Sequence, residues 1–125
     1  MKKASLILLL IVGCGVLLLA PAWADELLRV FVTGTGAQAE TIHHLNKRCR
    51  ELTVTADREK AYYVVQRDRT GAGMGRNPHK IAVFNRDGDA IYSGSAKTVG
   101  GAIKDACKAI REDIKINQQA AEKSR

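Results

Sequence analysis

Residues 61–66 of this chain read AYYVVQ, the longest run that combines β-branched with aromatic side chains. Charged residues flank the run on both sides, as DREK at 57–60 and RDR at 67–69. A short apolar run between polar segments is typical of a buried strand. We therefore place residues 61–66 at the centre of a sheet and expect the rest of the chain to pack around them.

The segment before the central strand predicts a strand, a helix and a short second strand. Residues 27–33 (LLRVFVT) have the composition of a strand, and residues 52–55 form the second one. Between residues 37 and 52 the apolar side chains recur at helical spacing and define one face. They are Ile42, Leu45, Cys49 and Leu52. Because a strand–helix–strand unit crosses over with a right hand, the first and central strands are expected to run parallel.

The segment after the central strand predicts a hairpin and a second helix. A long connection at 68–79 contains three glycines and a proline. Residues 80–85 and 90–94 read as antiparallel strands, joined by the Asp-Gly hairpin signal at 87–88. An apolar stripe at 99–114 predicts the last helix. The predicted fold is α+β in the order β-α-β-β-β-β-α, with a mixed, mostly antiparallel sheet, one parallel pair, and two helices packed on one face.

Residues 1–24 have the three parts of a secretory signal peptide: a basic start, an apolar stretch and a cleavage site between small residues. The apolar stretch covers residues 4–20, and the cleavage site is AWA at 22–24. We predict cleavage after this site. It leaves a single α/β domain at 25–116 and a polar C-terminal tail at 117–125 that frays. The protein is then periplasmic or secreted.

Two alternatives for the N-terminal segment remain open. Residues 11–14 (IVGC) fit the lipobox of bacterial lipoproteins, so that lipidation at Cys14 would give a membrane-anchored protein. The apolar run is also close to the lower limit of a spanning helix, roughly 17–25 residues, so that it would serve as an uncleaved anchor. In every case the folded part is exported, and the membrane is contacted only through the N-terminal segment.

The composition indicates one domain that is moderately basic. The chain has 125 residues, with 20 basic and 13 acidic side chains, and a chain of this length forms one core. All the acidic residues, and all the basic ones except Lys2 and Lys3, follow residue 24. This charge suits contact with anionic lipid head groups or an acidic envelope polymer, but ordinary solubility is the favoured explanation.

Cys49 and Cys107 each lie on the apolar stripe of a predicted helix. Oxidising conditions outside the cytoplasm favour pairing, whereas the alternative is two buried thiols. We predict a disulfide between them. The chain has no Cys-x-x-Cys motif, so that dithiol redox chemistry has little support.

Basic residues cluster on and beside the glycine-rich connection at 68–79. They are Arg67, Arg69, Arg76, His79 and Lys80. Backbone amides in such a loop, with arginines beside them, can bind anions, although the spacing does not match a P-loop. The alternative is a solvated connector. If the domain binds a small ligand or a polymer, this loop is its predicted binding surface.

Other chemistry has weaker support. Residues 34–39 (GTGAQA) follow a strand and fit the dinucleotide fingerprint, with Asp57 at the expected distance, but the domain is short for a two-halved nucleotide fold. His43 and His44 are adjacent and point to different helix faces, and we predict no metal site. We expect no cofactor and no catalytic constellation. Basic residues without an aromatic platform argue against nucleic-acid binding.

Residues 53–65 (TVTADREKAYYVV) carry a resemblance to small exported bacterial α/β domains. In these domains a strand is followed by D…KADYVV at the entry to a central strand, and Tyr62 here replaces the usual Asp. Such segments are similar to those of the curli secretion lipoproteins, the lipoprotein activators of penicillin-binding proteins and the amino-terminal domain of TolB. Residues 85–94 with 104–107 also resemble small secreted proteins of environmental bacteria. The resemblance implies a domain that acts by binding other envelope components.

We therefore expect an exported, non-enzymatic cell-envelope domain that binds a protein or a cell-wall polymer. The alternative is a protein that binds a small anionic ligand through the basic loop at 68–79. An exposed sheet edge or apolar patch would favour the first hypothesis. A cleft lined by converging polar groups would favour the second.

Overall fold

The computed structural model of the protein describes residues 28–70 and 77–124. The predicted signal peptide, the candidate lipidation site Cys14 and the loop residue Arg76 lie outside the described residues. Within these two ranges, no helix combines the length and the apolar character that a membrane span requires.

Five strands and two α-helices follow one another in the predicted order, which confirms the α+β fold class. The strands are β1 (Arg29–Thr33), β2 (Thr53–Val54), β3 (Tyr63–Arg69), β4 (His79–Phe84) and β5 (Ala90–Ala96). The helices are α1 (Gln38–Arg48) and α2 (Val99–Lys123). A 3-10 turn at Arg58–Lys60 leads into β3.

The sheet has the order β2-β1-β3-β4-β5, so that β3 is the central strand, as the sequence predicts. β1 pairs in parallel with β3 and also with β2, whereas β3–β4 and β4–β5 are antiparallel. The sheet thus has two parallel pairs, and the expectation of a single one is corrected. β2 joins the free side of β1 through only two residues, and so short a ladder leaves little trace in the sequence.

Alternation along the strands separates a buried face from a half-exposed one. The buried apolar side chains on β1, β3 and β4 are Val30, Val32, Tyr63, Val65, Ile81 and Val83. These residues pack with buried side chains of α1 and α2 in one core, α1 against β1 and β2 and α2 against β4 and β5. Both helices therefore cover the same face, as predicted.

Two element boundaries differ from the prediction. β3 runs on to Arg69 and pairs with His79, so that the ends of the predicted 68–79 loop belong to a hairpin. Beyond β3, the Thr70 amide donates to the carbonyl of Pro78 at 2.9 Å. The helix α2 continues to Lys123 instead of fraying after residue 116. Glutamine, alanine, glutamate and lysine in this segment are good helix formers, which explains the extension.

A disulfide joins Cys49, just after α1, to Cys107 on α2, with a Cα–Cα distance of 5.9 Å. Both residues are buried in the core between the helices. The predicted bridge is confirmed. A disulfide of this kind fits an oxidising compartment outside the cytoplasm.

Candidate functional site

The carboxyl ends of three strands meet at one edge of the domain. β1, β3 and β5 run in the same direction and end there, and both helices begin there. The chain leaves β1 towards β2 on one side, and leaves β3 towards β4 on the other. In open sheets, the crevice between strands whose connections diverge in this way is a frequent ligand site. We call this region the carboxyl edge.

Arg67 lies inside the domain at the carboxyl edge and is only 1% exposed. Its Nε donates to Oγ1 of Thr41 at 2.7 Å, and its Nη2 donates to the carbonyl oxygen of Ala37 at 3.1 Å. Its Nη1 lies 3.2 Å from Nδ1 of His79. Because a guanidinium can only donate, the His79 Nδ1 is the acceptor. Arg67 thus ties β3 to the first turn of α1 and to β4.

The glycines of the 34–36 turn make room for Arg67. Gly34 has a φ of +113°, and a Cβ there would lie 2.3 Å from the carbonyl oxygen of Arg67. A Cβ on Gly36 would lie 2.7 Å from Cζ of the same arginine. The Gly36 amide donates to the Arg67 carbonyl at 2.9 Å. Gly34 and Gly36, the two glycines that match the dinucleotide fingerprint, are therefore required for packing within the chain.

The Asp68 carboxylate accepts hydrogen bonds from Thr35, the middle residue of the same turn. Its Oδ1 accepts from the Thr35 amide at 2.9 Å, and its Oδ2 accepts from Nε2 of Gln66 at 3.0 Å. The Thr35 amide, followed by the Gln66 side chain, lowers the pKa of Asp68, so that this carboxylate is ionised at neutral pH. An internal anion thus fills the position that a bound phosphate would take in the dinucleotide interpretation.

A pocket of about 360 Å³ opens at the carboxyl edge beside Arg67. Its lining residues are Thr35, Gly36, Ala37, Glu40, Arg67, Arg69, His79 and Val99. Burial lowers the pKa of His79, and the positive charges of Arg67 and Arg69 lower it further, whereas Glu40 raises it. His79 is therefore neutral at pH 7. Because its Nδ1 accepts from Arg67, its proton is on Nε2, which is a hydrogen-bond donor.

The structure brings together three of the five basic residues predicted to bind an anion. Arg67, Arg69 and His79 all line the pocket. Lys80 alternates to the opposite face of β4, where it pairs in register with Asp68, and Arg76 lies outside the described residues. The predicted set did not include Thr35, Glu40 or Thr41. Only their position could have indicated them, since all three lie between residues 35 and 41, just after the carboxyl end of β1.

No group of three or more His, Cys, Asp or Glu side chains able to hold a metal ion occurs within residues 28–70 and 77–124. The His43 and His44 rings meet edge to face at a centroid distance of 5.6 Å. Burial is the main cause that lowers the pKa of His44.

A second surface of interest is the free edge of β5. In the described part of the chain no strand pairs with β5 on the side away from β4. Residues Ala90–Ala96 (AIYSGSA) include no charged residue and no proline. Natural edge strands usually carry such residues because they block pairing with another chain. Beside this edge lies a groove of about 330 Å³, lined by Tyr92, Asp105, Lys108, Ala109 and Glu112.

The sheet face opposite the helices has an apolar row at its centre. Phe31, Val64 and Phe84 are direct neighbours in register on β1, β3 and β4. All three are half-buried. A shallow groove of about 710 Å³ extends from Val64 and Phe84 towards Arg58 and Arg86.

The sequence matches no protein-family model and no curated protein. The resemblance to the envelope lipoproteins therefore stays a prediction.

Proposed function

We propose that this protein is an exported, non-enzymatic domain of the bacterial cell envelope, and that it binds a partner protein by adding an extended segment of the partner to β5. The free β5 edge is the observation that carries the proposal. An exposed edge offers a row of backbone donors and acceptors, and strand addition is a common mode of peptide recognition.

The groove beside β5 supports a strand-like occupant. An added strand would lie next to β5, with alternate side chains directed towards the outer flank of α2. The groove there is bordered by Asp105 and Glu112 against a single cation, Lys108. Its lining charges sum to −1, so that a basic side chain of the partner fits best. The occupant is therefore an extended protein segment that carries a lysine or an arginine.

Export is supported by the disulfide together with the N-terminal segment. The Cys49–Cys107 bridge fits an oxidising compartment, and residues 1–24 have the pattern of a signal peptide. Intact-mass measurement on protein purified from the native host is expected to give a chain that begins at Asp25, without acyl mass. A diacylated chain that begins at Cys14 would replace the periplasmic or secreted location with a lipoprotein anchor.

The non-enzymatic assignment is supported by the state of the titratable groups at the carboxyl edge. A general base needs a free basic atom and a pKa near the working pH. The His79 Nδ1 already accepts from Arg67, and burial, followed by the charges of Arg67 and Arg69, lowers the pKa of His79. His79 is therefore a poor candidate for a catalytic base.

The binding test compares two edges of the same sheet. We would replace Ser93 and Ser95, two exposed residues of β5, by lysine in one variant. In the control variant we would replace Thr53 by lysine, since Thr53 is an exposed residue of β2 at the opposite edge of the sheet. Each protein is immobilised and incubated with envelope extract, and the captured proteins are identified by mass spectrometry. We expect one partner to bind the wild type and the control but not the β5 variant.

Hydrogen exchange then locates the contact. The purified partner is expected to protect amides of Ala90–Ala96, because they become donors in a new ladder. Equal capture by the β5 variant would reject strand addition. Capture of cell-wall polymer alone would reject it as well. Concentration-dependent dimerisation of the free protein in sedimentation experiments, abolished by the β5 lysines, would show that the occupant is a second copy of this chain, and would reject the proposal of a partner protein.

A further inference from the structure

The pocket at the carboxyl edge contains the buried cation Arg67, and the carboxylate beside it, that of Glu40, is not in hydrogen-bonding contact with it. The Arg67 side chain is 2% exposed, and within the described residues its one carboxylate neighbour is Glu40, with 3.7 Å between Oε2 and Nη2. That distance is too long for a hydrogen bond. The Glu40 side chain is itself 50% exposed. Buried charges are normally compensated by a close, hydrogen-bonded opposite charge.

Arg69 adds a second positive charge to the same pocket. It is exposed at the end of β3, and its guanidinium makes no hydrogen bond or ion pair with other described residues. Arg67, Arg69 and Glu40 together carry a net charge of +1, and His79 is neutral. The side chains that line the pocket therefore carry a net positive charge, even with Glu40 among them.

The donors around the pocket suit an oxyanion. Arg67 has five N–H groups, and its bonds to Thr41, Ala37 and His79 use three of them. The neutral His79 has one N–H on Nε2, and Arg69 contributes a complete guanidinium. At about 360 Å³, the pocket is near the lower end of the range for ligand sites, roughly 300–1,000 Å³. That volume suits a small molecule and not a dinucleotide.

We propose that this pocket binds a small phosphate-bearing anion, which takes the place of the Glu40 carboxylate as the counter-charge of Arg67. Arg69 forms the exposed side of the site and makes bidentate contacts to the phosphate oxygens. Glu40 turns towards solvent when the anion is bound. This site is separate from the β5 edge, so that its ligand and the partner protein bind independently.

The test is calorimetric titration with inorganic phosphate at constant ionic strength, on the wild type and three variants. Arg69→Ala is expected to weaken binding about tenfold, because it removes a charge-assisted contact. Glu40→Gln is expected to strengthen binding, because the competing carboxylate is gone. Lys80→Ala is the matched control, since it removes the same charge from the neighbouring strand but on the opposite face, and it should bind as the wild type does.

Succinate, tested in parallel, distinguishes a phosphate from a carboxylate ligand. Saturable binding of phosphate that is tighter than that of succinate, with the expected order of variants, supports the proposal. The absence of saturable phosphate binding would overturn it. Tighter binding of succinate, or an equal loss in Arg69→Ala and Lys80→Ala, would overturn it as well. Since Glu40, Arg69 and Lys80 are all exposed, each variant should keep the melting temperature of the wild type, which excludes unfolding as the cause.

Discussion

The phenolic oxygen of Tyr63 donates a 2.7 Å hydrogen bond to Oδ2 of Asp113. Tyr63 is fully buried at the start of the central strand, and Asp113 lies on α2 beyond its last buried residue, Ile110. Burial is the main cause that raises the pKa of Tyr63, and the hydrogen bond to Asp113 adds to it. Asn117 also donates to Asp113 Oδ2, at 3.2 Å. This contact joins the central strand to the far half of the longest helix.

Replacing Asp113 by alanine is expected to lower the free energy of unfolding by about 1–3 kcal/mol, because it leaves the buried hydroxyl of Tyr63 without its acceptor. Urea denaturation measures the change. The double variant with Tyr63→Phe should lose less than the sum of the single changes, because the orphaned hydroxyl is then absent. Glu112→Ala, at an exposed neighbouring position, is the control. Equal stability of the Asp113 and Glu112 variants would contradict the structural role of this bond.

The Cys49–Cys107 bridge closes a loop with a sequence separation of 58 residues. Loop-closure entropy gives such a bridge about 4 kcal/mol. The double replacement by serine should therefore remove much of the stability of a domain of this size. Thiol titration of the denatured, non-reduced chain that begins at Asp25 should find no free thiol. Two free thiols, or an unchanged denaturation midpoint in the double serine variant, would rule the bridge out as a stabilising element.

Arg67 and Arg69 lie two residues apart on one strand, but replacing the buried Arg67 should cost far more stability than replacing the exposed Arg69. Arg67→Ala leaves Thr41 and Ala37 without their donor and opens a cavity, so that we expect a loss of roughly 3 kcal/mol or more. Arg69→Ala removes an exposed side chain and should change the free energy of unfolding by less than about 0.5 kcal/mol. Chemical denaturation of both variants tests this contrast. Similar losses in the two variants would mean that the buried contacts of Arg67 contribute little to the free energy of unfolding.

Stability should decrease as the pH falls below neutrality, because the folded state lowers the pKa of His79 from its ordinary value of 6.5. The unfolded chain then binds more protons than the native one, so that stability is complete above pH 6.5 and declines as the pH falls through that value. The groups that face His79 are Arg67 and Arg69, which oppose its protonation, and Glu40, which favours it.

Melting temperatures between pH 5 and 7.5 measure this dependence. His79→Asn keeps an acceptor for Arg67 without a titrating group, and it should flatten the profile. The pKa of His44 is also lowered, so that His44→Gln is the matched comparison, and the two changes together should flatten it further. A profile that His79→Asn leaves unaltered would show that this histidine is not the source.

The sequence by itself determined the order of the elements and the central strand, and it placed both cysteines on apolar helical faces. Each depends on local periodicity. Alternation marks a strand, the spacing of apolar residues marks a helical face, and the two cysteines lie on such faces. The short apolar run at 61–66 indicated the middle of the sheet because a strand with neighbours on both sides needs little polar surface.

Only the tertiary structure decided the character of the carboxyl edge. Tyr63, Val65 and Arg67 alternate onto the same buried face. Alternation alone does not show which groups accept the hydrogen bonds of a buried arginine. Those partners, Thr41 and His79, are separated from it by 26 and 12 residues. Register between β3 and β4, and the approach of α1, bring them together. A buried cation is stable only where distant parts of the chain meet to satisfy it, and local sequence patterns carry no such information.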